Sequence, residues 1–184
     1  MRYDIASIYK EKREYHKSTK GANSIKHGVK VKRLDKFHQE AEVHHFKIQT
    51  DEHAEPWGGG GRAPSPLEYF LSALGFSINN QILIQSEVNG VKLDSLETLV
   101  TGSFDSKGCL DIKGHNPNIY KISLDFTVAS DSSHEKLQEI LRKATACDPV
   151  YQTLRKAARI EKKLHLSGGT NAKHVTNPKG DGGK

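Results

Sequence analysis

The residues with the clearest chemical potential are two cysteines, ten histidines and a serine inside an apolar segment. Thiolates attack peroxides and disulfides and bind metals. Cys109 and Cys147 are too few for a disulfide framework, and their spacing matches no zinc motif. The histidines are scattered except His44 and His45, whose side chains would point to opposite faces of a strand. The sequence therefore predicts no metal site and no cofactor.

The serine is Ser77, at the end of the segment SPLEYFLSALGFS, which opens a long helix. Ser65 is the expected N-cap, Pro66 the first helical residue, and Glu68 the carboxylate of a capping box. The pattern stays apolar on nearly every face until Asn89-Gly90, which predicts a helix of about 23 residues. A helix that is apolar all round must be surrounded. Because only 35% of the chain is hydrophobic, we expect a second subunit to supply part of the cover.

The loop GGGGRAPSP lies immediately before and around the start of this helix. It lacks the Lys-Ser/Thr pair of a phosphate-binding loop, and Pro64 and Pro66 remove two backbone amides. We therefore do not predict a phosphate site here.

The remaining elements predict an α+β fold with antiparallel sheet. Strands are expected at residues 40–50, 91–106 and 118–130, with a short strand and loop at 109–118. Ser132 or Ser133 caps an amphipathic helix, and Ser132 with Glu135 has the spacing of a capping box. A third helix is predicted to open at Pro149 and continue to residue 164.

Charge divides the chain into three parts. Residues 1–33 carry ten Lys/Arg against three Asp/Glu, residues 162–184 carry five Lys against one Asp, and residues 34–161 are net acidic. Basic ends bind nucleic acid or simply solubilise the protein. We favour solubilising segments, because the only interleaved aromatics are three tyrosines whose six-residue spacing fits neither helix nor strand. The last 18 residues have the composition of a flexible tail.

The N-terminus has no apolar signal region, and no segment approaches 18 consecutive apolar residues. We therefore expect a cytoplasmic protein with no membrane partner.

Three strings resemble the OsmC/Ohr family, the osmotically inducible and organic hydroperoxide resistance proteins. These strings are HHFKIQTDEHAEPWGGGGRAPSPLEYFLSALG, the strand pair at 91–128, and CDPVYQTL. The resemblance implies an OsmC-like domain at 34–161, an intertwined homodimer with antiparallel sheets around two long central helices, and active sites at the interface. In active members one cysteine on the central helix attacks the peroxide and a second forms a disulfide with it.

Carried over position by position, the resemblance fails at both cysteines. Ser77 stands at the attacking cysteine's position, eleven residues after Pro66. Asp148 stands at the second position, with Cys147 one residue earlier. A serine hydroxyl has a far higher pKa than a thiol and forms no disulfide. The two-cysteine peroxidase cycle is therefore not expected.

Two further residues of the family site, an arginine and a glutamate that hold the attacking cysteine as a thiolate, also depart from the pattern. Leu67 occupies the expected glutamate position, and Glu68 follows it. Arg33 and Arg62 are both candidates for the arginine, and the sequence does not decide between them.

Several side-chain roles are expected from these positions. The Ser77 hydroxyl either bonds the carbonyl four residues back or contacts a ligand. Asp148 is expected to cap the third helix, and it would hydrogen-bond Ser77 if the two meet as the family's cysteines do. Glu68 is expected in the capping box, and Cys147 as a buried, apolar thiol. Asn79 and Asn80 follow Ser77 in the apolar run and need polar partners.

The leading functional hypothesis is an OsmC-like homodimer of the oxidative-stress, peroxiredoxin-like class with a degenerate active site. Its pocket, formed by Ser77, Glu68, Phe76 and Asp148, would bind a small apolar ligand. One alternative is a one-cysteine hydroperoxide reductase with Cys147 as the catalytic residue. Another is a nucleic-acid-associated protein that uses the basic N-terminus. Hydrolysis through Ser77 is the weakest hypothesis, because no histidine lies at motif spacing.

Overall fold

A computed structural model describes residues 4–21 and 24–156 of the 184-residue chain. Within these residues, helices and strands follow one another in an α+β order. Their bounds are α1 Ile5–Ser18, β1 Lys30–Asp35, β2 His38–Val43, β3 Phe46–Thr50, α2 Pro66–Val88, β4 Ser95–Phe104, α3 Ser106–Cys109, β5 Ile119–Ala129, α4 His134–Cys147 and α5 Pro149–Arg155.

The first sheet is an antiparallel meander in the order β1-β2-β3. The prediction of one strand over 40–50 is wrong, because Val43 pairs with Phe46 across a tight turn at His44 and His45. His44 adopts a positive φ of 54°, which a turn tolerates and a strand does not. The two histidines are therefore turn residues and do not alternate across a sheet.

The second sheet pairs β4 with β5 antiparallel, from Ser95 opposite Ala129 to Phe104 opposite Ile119. Exposed and half-buried residues alternate along the whole of β4, as expected for a sheet with one face on the core. The connection contains the short helix α3, and the prediction of a short strand within 109–118 is wrong, because residues 110–118 form turns and loop until β5 begins at Ile119. Asp105 caps α3 by accepting a hydrogen bond from the Lys107 amide, which favours a helical turn over an extended chain.

The long helix α2 begins as predicted from its sequence. Ser65 accepts a hydrogen bond from the Glu68 amide, the Glu68 side chain accepts from the Ser65 amide, and Pro66 occupies the first position. The predicted stop is also confirmed, since Asn89 is the C-cap and Gly90 has a φ of 67°.

Two glycines allow α2 and β4 to approach closely. A Cβ atom at Gly75 would lie 3.2 Å from Val100 Cγ2, and one at Gly102 would lie 3.0 Å from Leu71 Cδ2. Both distances are shorter than ordinary van der Waals contact, so the glycines bring the helix against the half-buried face of the sheet.

The core of the described chain lies between α2 and α4. Its buried side chains are Ile78, Ile82, Val91, Ile140 and Ala144. Half-buried residues of β4 and β5 pack against this cluster, among them Leu96 and Phe126. The amphipathic stripe predicted for α4 therefore faces the central helix.

The N-terminal segment is more regular than the sequence suggested. Tyr9 and Tyr15 lie in α1, which packs against α2, so the inference that their spacing fits no helix is wrong. A six-residue spacing excludes a shared helix face, but it does not exclude a helix. β1 begins at Lys30 and crosses the predicted boundary at residue 33. The proposed division into 1–33, 34–161 and 162–184 remains a prediction.

The C-terminal helices differ in detail from expectation. Ser133, and not Ser132, caps α4, because its side chain accepts from the Lys136 amide. Pro149 opens α5 as predicted. The helix extends to Arg155, and residues 157–164 of the predicted helix, like the predicted flexible tail, lie outside the described residues.

Replacing Ser65 with alanine removes the acceptor for the Glu68 amide. We expect Ser65→Ala to lower the free energy of unfolding by about 1 kcal/mol in urea denaturation at fixed protein concentration. Ser72 is exposed on the same helix, and Ser72→Ala should stay within about 0.5 kcal/mol of wild type. Equal stability of the two variants would contradict the capping role.

Candidate functional site

Ser77 lies half-buried in the middle of α2. Its Oγ donates a hydrogen bond of 2.6 Å to Oδ2 of Asp148, which is 71 residues away in sequence. The expectation that the hydroxyl bonds the carbonyl four residues back is therefore wrong. The two residues do meet, and the hydrogen bond expected in that case is formed.

Asp148 is fully buried at the junction of α4 and α5. Its Oδ1 accepts a 2.6 Å hydrogen bond from the Tyr151 amide, which confirms its role as N-cap of α5. Its Oδ2 accepts from Ser77, so both carboxylate oxygens have a protein donor. A buried carboxylate is tolerated only when it is hydrogen-bonded in this way. Asp148 thus joins three helices through one side chain.

The pair has limited chemical capability. A hydroxyl and a carboxylate form a strong, charge-assisted hydrogen bond, but neither group cycles between thiol and disulfide. The arrangement favours positioning and binding over redox chemistry.

The neighbouring asparagines differ from each other. Asn79 Oδ1 accepts a 2.6 Å hydrogen bond from Thr98 Oγ1 on β4, so this polar side chain has the partner expected of it. Asn80 is exposed and needs none from the protein. The prediction that both lie in a buried environment is therefore wrong for Asn80.

Both cysteines are free and exposed. Cys147 is the last residue of α4, and the prediction that it is buried is wrong because the chain turns inward only at the next residue, Asp148. Cys109 lies at the end of α3. Exposure leaves the Cys147 thiol accessible to solutes.

Both carboxylate oxygens of Glu68 have partners at the N-terminus of α2. Its Oε2 accepts a 2.7 Å hydrogen bond from the Ser65 amide, and its Oε1 lies 3.3 Å from His53 Nε2. The hydrogen bonds from Ser65 lower the pKa of Glu68 below its ordinary value, with a smaller contribution from His53. Nine residues separate Glu68 from Ser77, which is about 13.5 Å along the helix axis and half a revolution around it. The structure therefore places Glu68 apart from Ser77 within one chain.

The Gly-rich loop is folded around Asp51, a residue that the sequence analysis missed. Asp51 is 2% exposed and accepts hydrogen bonds from the amides of Glu52 and Arg62, at 2.9 and 3.4 Å. Burial raises the pKa of Asp51, but the amides of Gly60, Arg62 and Glu52 outweigh this effect, so the pKa lies below its ordinary value. Its position one residue after a strand and before the glycines is the signal that could have identified it.

One of these glycines is required by close packing. A Cβ atom at Gly59 would lie 1.9 Å from the Glu52 carbonyl oxygen. The glycine repeat thus serves a tight loop around a carboxylate.

Arg62 holds this loop against the β1–β2 hairpin. Its guanidinium nitrogens lie 3.3 Å from Asp35 Oδ2, 3.1 Å from His38 Nδ1 and 3.7 Å from Asp51 Oδ2. Arg33, the other candidate for the family's arginine, is exposed on β1. These hydrogen bonds and ion pairs hold Arg62 in place. Its contacts are with the loop and the β1–β2 hairpin, and not with Ser77.

Phe76 precedes Ser77 and is 70% exposed, in spite of its size. Phe70 and Leu83 on the same helix are also exposed. A large apolar surface on a central helix is uncommon in a monomer and marks an interaction site.

Two cavities lie elsewhere, against β5 and α4. One has a volume of about 470 Å³ and extends to Tyr151 of α5. The other, about 230 Å³, reaches Ser86 near the end of α2. Ser77, Glu68, Phe76 and Asp148 line neither of them.

Within residues 4–21 and 24–156, no helix has both the length and the apolar character needed to cross a membrane. No group of three or more His, Cys, Asp or Glu side chains in this part of the chain is arranged to hold a metal ion.

The fold and the site together define an α+β protein with two antiparallel sheets and a long central helix. The family model described as OsmC-like protein matches residues 58–163, which is more than half of the chain. The chain therefore belongs to the OsmC-like family.

Solved structures of this family share the fold. An OsmC-like protein from Mycoplasma pneumoniae is 18% identical with a TM-score of 0.63, covering 72% of this chain and 89% of that one. A putative osmotic stress induced and detoxification response protein from Psychrobacter arcticus is 16% identical with a TM-score of 0.57, covering 71% and 89%. An organic hydroperoxide resistance protein OsmC from Legionella pneumophila is 15% identical with a TM-score of 0.52, covering 72% and 92%. No curated protein matches the chain.

A double-mutant cycle measures the Ser77–Asp148 contact directly. We expect Ser77→Ala and Asp148→Ala to be coupled by about 1.5–3 kcal/mol in the free energy of unfolding, because the acceptor is a buried carboxylate. Ser77→Ala combined with Ser133→Ala, at the cap of α4, should be additive within about 0.5 kcal/mol. Additivity in the first pair would show that the contact is not formed.

Proposed function

We propose that this protein is an OsmC-like homodimer that binds a small, largely apolar molecule at the Ser77 site and has lost the thiol peroxidase reaction of its relatives. The observation that carries the proposal is the 2.6 Å hydrogen bond between Ser77 and Asp148. This contact occupies the positions at which the resemblance places the attacking and resolving cysteines.

The chemistry of peroxide reduction explains why the substitution matters. A thiolate attacks the peroxide oxygen, the O–O bond breaks, and sulfenic acid and an alcohol form. A second thiol then attacks the sulfur, which forms a disulfide and releases water. The Ser77 hydroxyl is not oxidised by a peroxide in this way. The Asp148 carboxylate cannot replace the second thiol, because it does not form a disulfide. Both half-reactions lose their reacting atom.

A second subunit is supported by the surface of α2. Phe76, Phe70 and Leu83 expose apolar area on the helix that the fold otherwise buries. Burying a large side chain of this kind contributes roughly 1.5–3 kcal/mol. A second copy of the chain, packed through this helix, would cover these residues and close a pocket next to Phe76 and Ser77.

Such a pocket would suit an apolar ligand with few polar groups. The Ser77 hydroxyl donates to Asp148, so its oxygen retains lone pairs that can accept from a ligand. Phe76 would supply an apolar wall beside it. The remaining requirement, exclusion of water, would be met by the partner.

A one-cysteine peroxidase is the second candidate function, and the exposure of Cys147 favours it. In this reaction Cys147 would be oxidised to sulfenic acid by a hydroperoxide, and an external thiol would reduce it. It does not involve Ser77 or Asp148.

Peroxidase assays separate these two functions. We expect no reduction of cumene hydroperoxide above the protein-free rate with dithiothreitol or dihydrolipoamide as reductant, because Ser77 has no thiolate chemistry. Turnover that disappears in Cys147→Ser would establish the one-cysteine function instead. Turnover that persists in this variant would contradict both.

The double variant Ser77→Cys, Asp148→Cys serves as a matched positive control for the geometry. After treatment with peroxide it should lose the mass of two hydrogens relative to its reduced form, because the two thiols would lie within bonding distance. Failure to form this disulfide in a folded variant would show that the two positions do not correspond to the family's pair.

The proposed dimer predicts a specific effect of Phe76. The wild-type chain should sediment as a dimer at micromolar concentration, and Phe76→Ser should shift the equilibrium towards monomer by at least tenfold, since about 1.5–3 kcal/mol of apolar burial is lost in each subunit. Leu99→Ser, which removes an exposed apolar residue on the outer face of β4, is the control and should leave the dimer intact. A monomeric wild type would contradict the proposal.

A further inference from the structure

Ser86, near the end of α2, is buried, with 2% of its surface exposed. Its Oγ has no hydrogen-bond partner in the part of the chain that the structure describes. A helical serine usually bonds the carbonyl one turn back. The hydroxyls of Ser77, in this helix, and of Ser65, at its N-cap, both form hydrogen bonds. An unpaired buried hydroxyl is costly, so its position calls for a donor or acceptor from outside the described residues.

The hydroxyl lines the cavity of about 230 Å³ between α2, α4 and the β4–β5 sheet. Most of the wall is apolar, with contributions from Ile82, Leu93, Val128 and Leu137. Ser86 is therefore the one buried hydrogen-bonding side chain in the lining of this cavity.

The other polar side chains of this cavity, His134 and Gln138, are exposed and form its rim. Gln138 Nε2 lies 2.9 Å from His134 Nε2, so the two pair with each other. An ordered water needs two to four polar partners, and Ser86 is the single buried one that the described residues provide. An apolar molecule with one polar atom fits this environment better than water.

This cavity is separate from the site at Ser77. Ser86 lies nine positions after Ser77, which corresponds to about 13.5 Å along α2 and to opposite sides of the helix. The inference therefore does not depend on the proposed function.

Size limits the class of ligand. An apolar cavity of roughly 150 Å³ holds benzene, so a cavity of 230 Å³ admits a molecule only somewhat larger. The neighbouring cavity of about 470 Å³ shares Phe126, Gln138 and Leu141 with it, so the two adjoin along β5 and α4.

We propose that the cavity at Ser86 binds a small monohydric phenol or alcohol, with its hydroxyl on Ser86 Oγ and its hydrocarbon part against the apolar wall. A molecule of the same shape without the hydroxyl binds more weakly, because it leaves Ser86 unpaired. This discrimination is the signature of the site.

The test compares 4-methylphenol with toluene on the full-length protein, by titration with ¹⁵N- and ¹³C-methyl-edited NMR. We expect 4-methylphenol to bind about five- to tenfold more tightly than toluene, the range that one hydrogen bond supplies. The resonances that move should belong to Ser86, Leu93, Val128 and Leu137. This mapping uses the wild-type chain and does not depend on a variant that folds.

Ser86→Ala should abolish the preference for 4-methylphenol over toluene, because the phenol hydroxyl would then be buried without a partner. It should not lower the temperature of unfolding, because no protein hydrogen bond is lost. Ser72→Ala, exposed on the same helix, is the matched control and should keep the wild-type ratio. Equal affinities for both probes in the wild type, no binding of either, or shifts confined to Ser77 and Asp148 would overturn the proposal. The last result would place the phenol in the Ser77 site instead.

Discussion

The buried carboxylate of Asp148 is the constraint on which the arrangement of helices depends. It lies where α4 ends and α5 begins, and a charged group there is tolerable only with its oxygens hydrogen-bonded. One oxygen receives the Tyr151 amide and the other receives the Ser77 hydroxyl from the centre of α2. The capping of a short helix and the docking of the central helix are therefore satisfied together. A hydrogen bond between a hydroxyl and a carboxylate is not redox-active.

The central helix itself imposes the second constraint. Its apolar residues require cover on several sides, and α4, β4 and β5 supply it around Ile78 and Ile82. Gly75 and Gly102 permit the close approach of the sheet. Phe76 remains 70% exposed in one chain, which is the physical reason for expecting a second copy. In this account α2 determines the stability of the fold, and it also determines the proposed assembly and the proposed ligand pocket.

Much of the fold could be predicted from local sequence signals. The capping box at Ser65, the stop at Asn89-Gly90 and the alternation in β5 are short-range patterns, and the structure confirms each of them. The hairpin turn at His44-His45 was missed because neither glycine nor proline marks it, and α1 was missed because its tyrosines share no face.

The site could be predicted only where a resemblance supplied long-range information. No local pattern joins Ser77 to a residue 71 positions away; the position of the family's cysteines does. Asp51 and the contacts of Arg62 depend on how the Gly-rich loop folds back, and the unpaired hydroxyl of Ser86 depends on the packing of three elements. Composition and periodicity do not encode such contacts. They follow from tertiary packing.

The central proposal is that Ser77 and Asp148 form a structural hydrogen bond and that the chain carries out no thiol peroxidase reaction. The most direct measurement is a single-turnover reaction of the reductant-free protein with one equivalent of cumene hydroperoxide, followed by cumyl alcohol analysis and intact mass. The account predicts no cumyl alcohol above the protein-free control and an unchanged protein mass. Stoichiometric cumyl alcohol, together with the addition of one oxygen atom or the loss of two hydrogens from the protein, would contradict it.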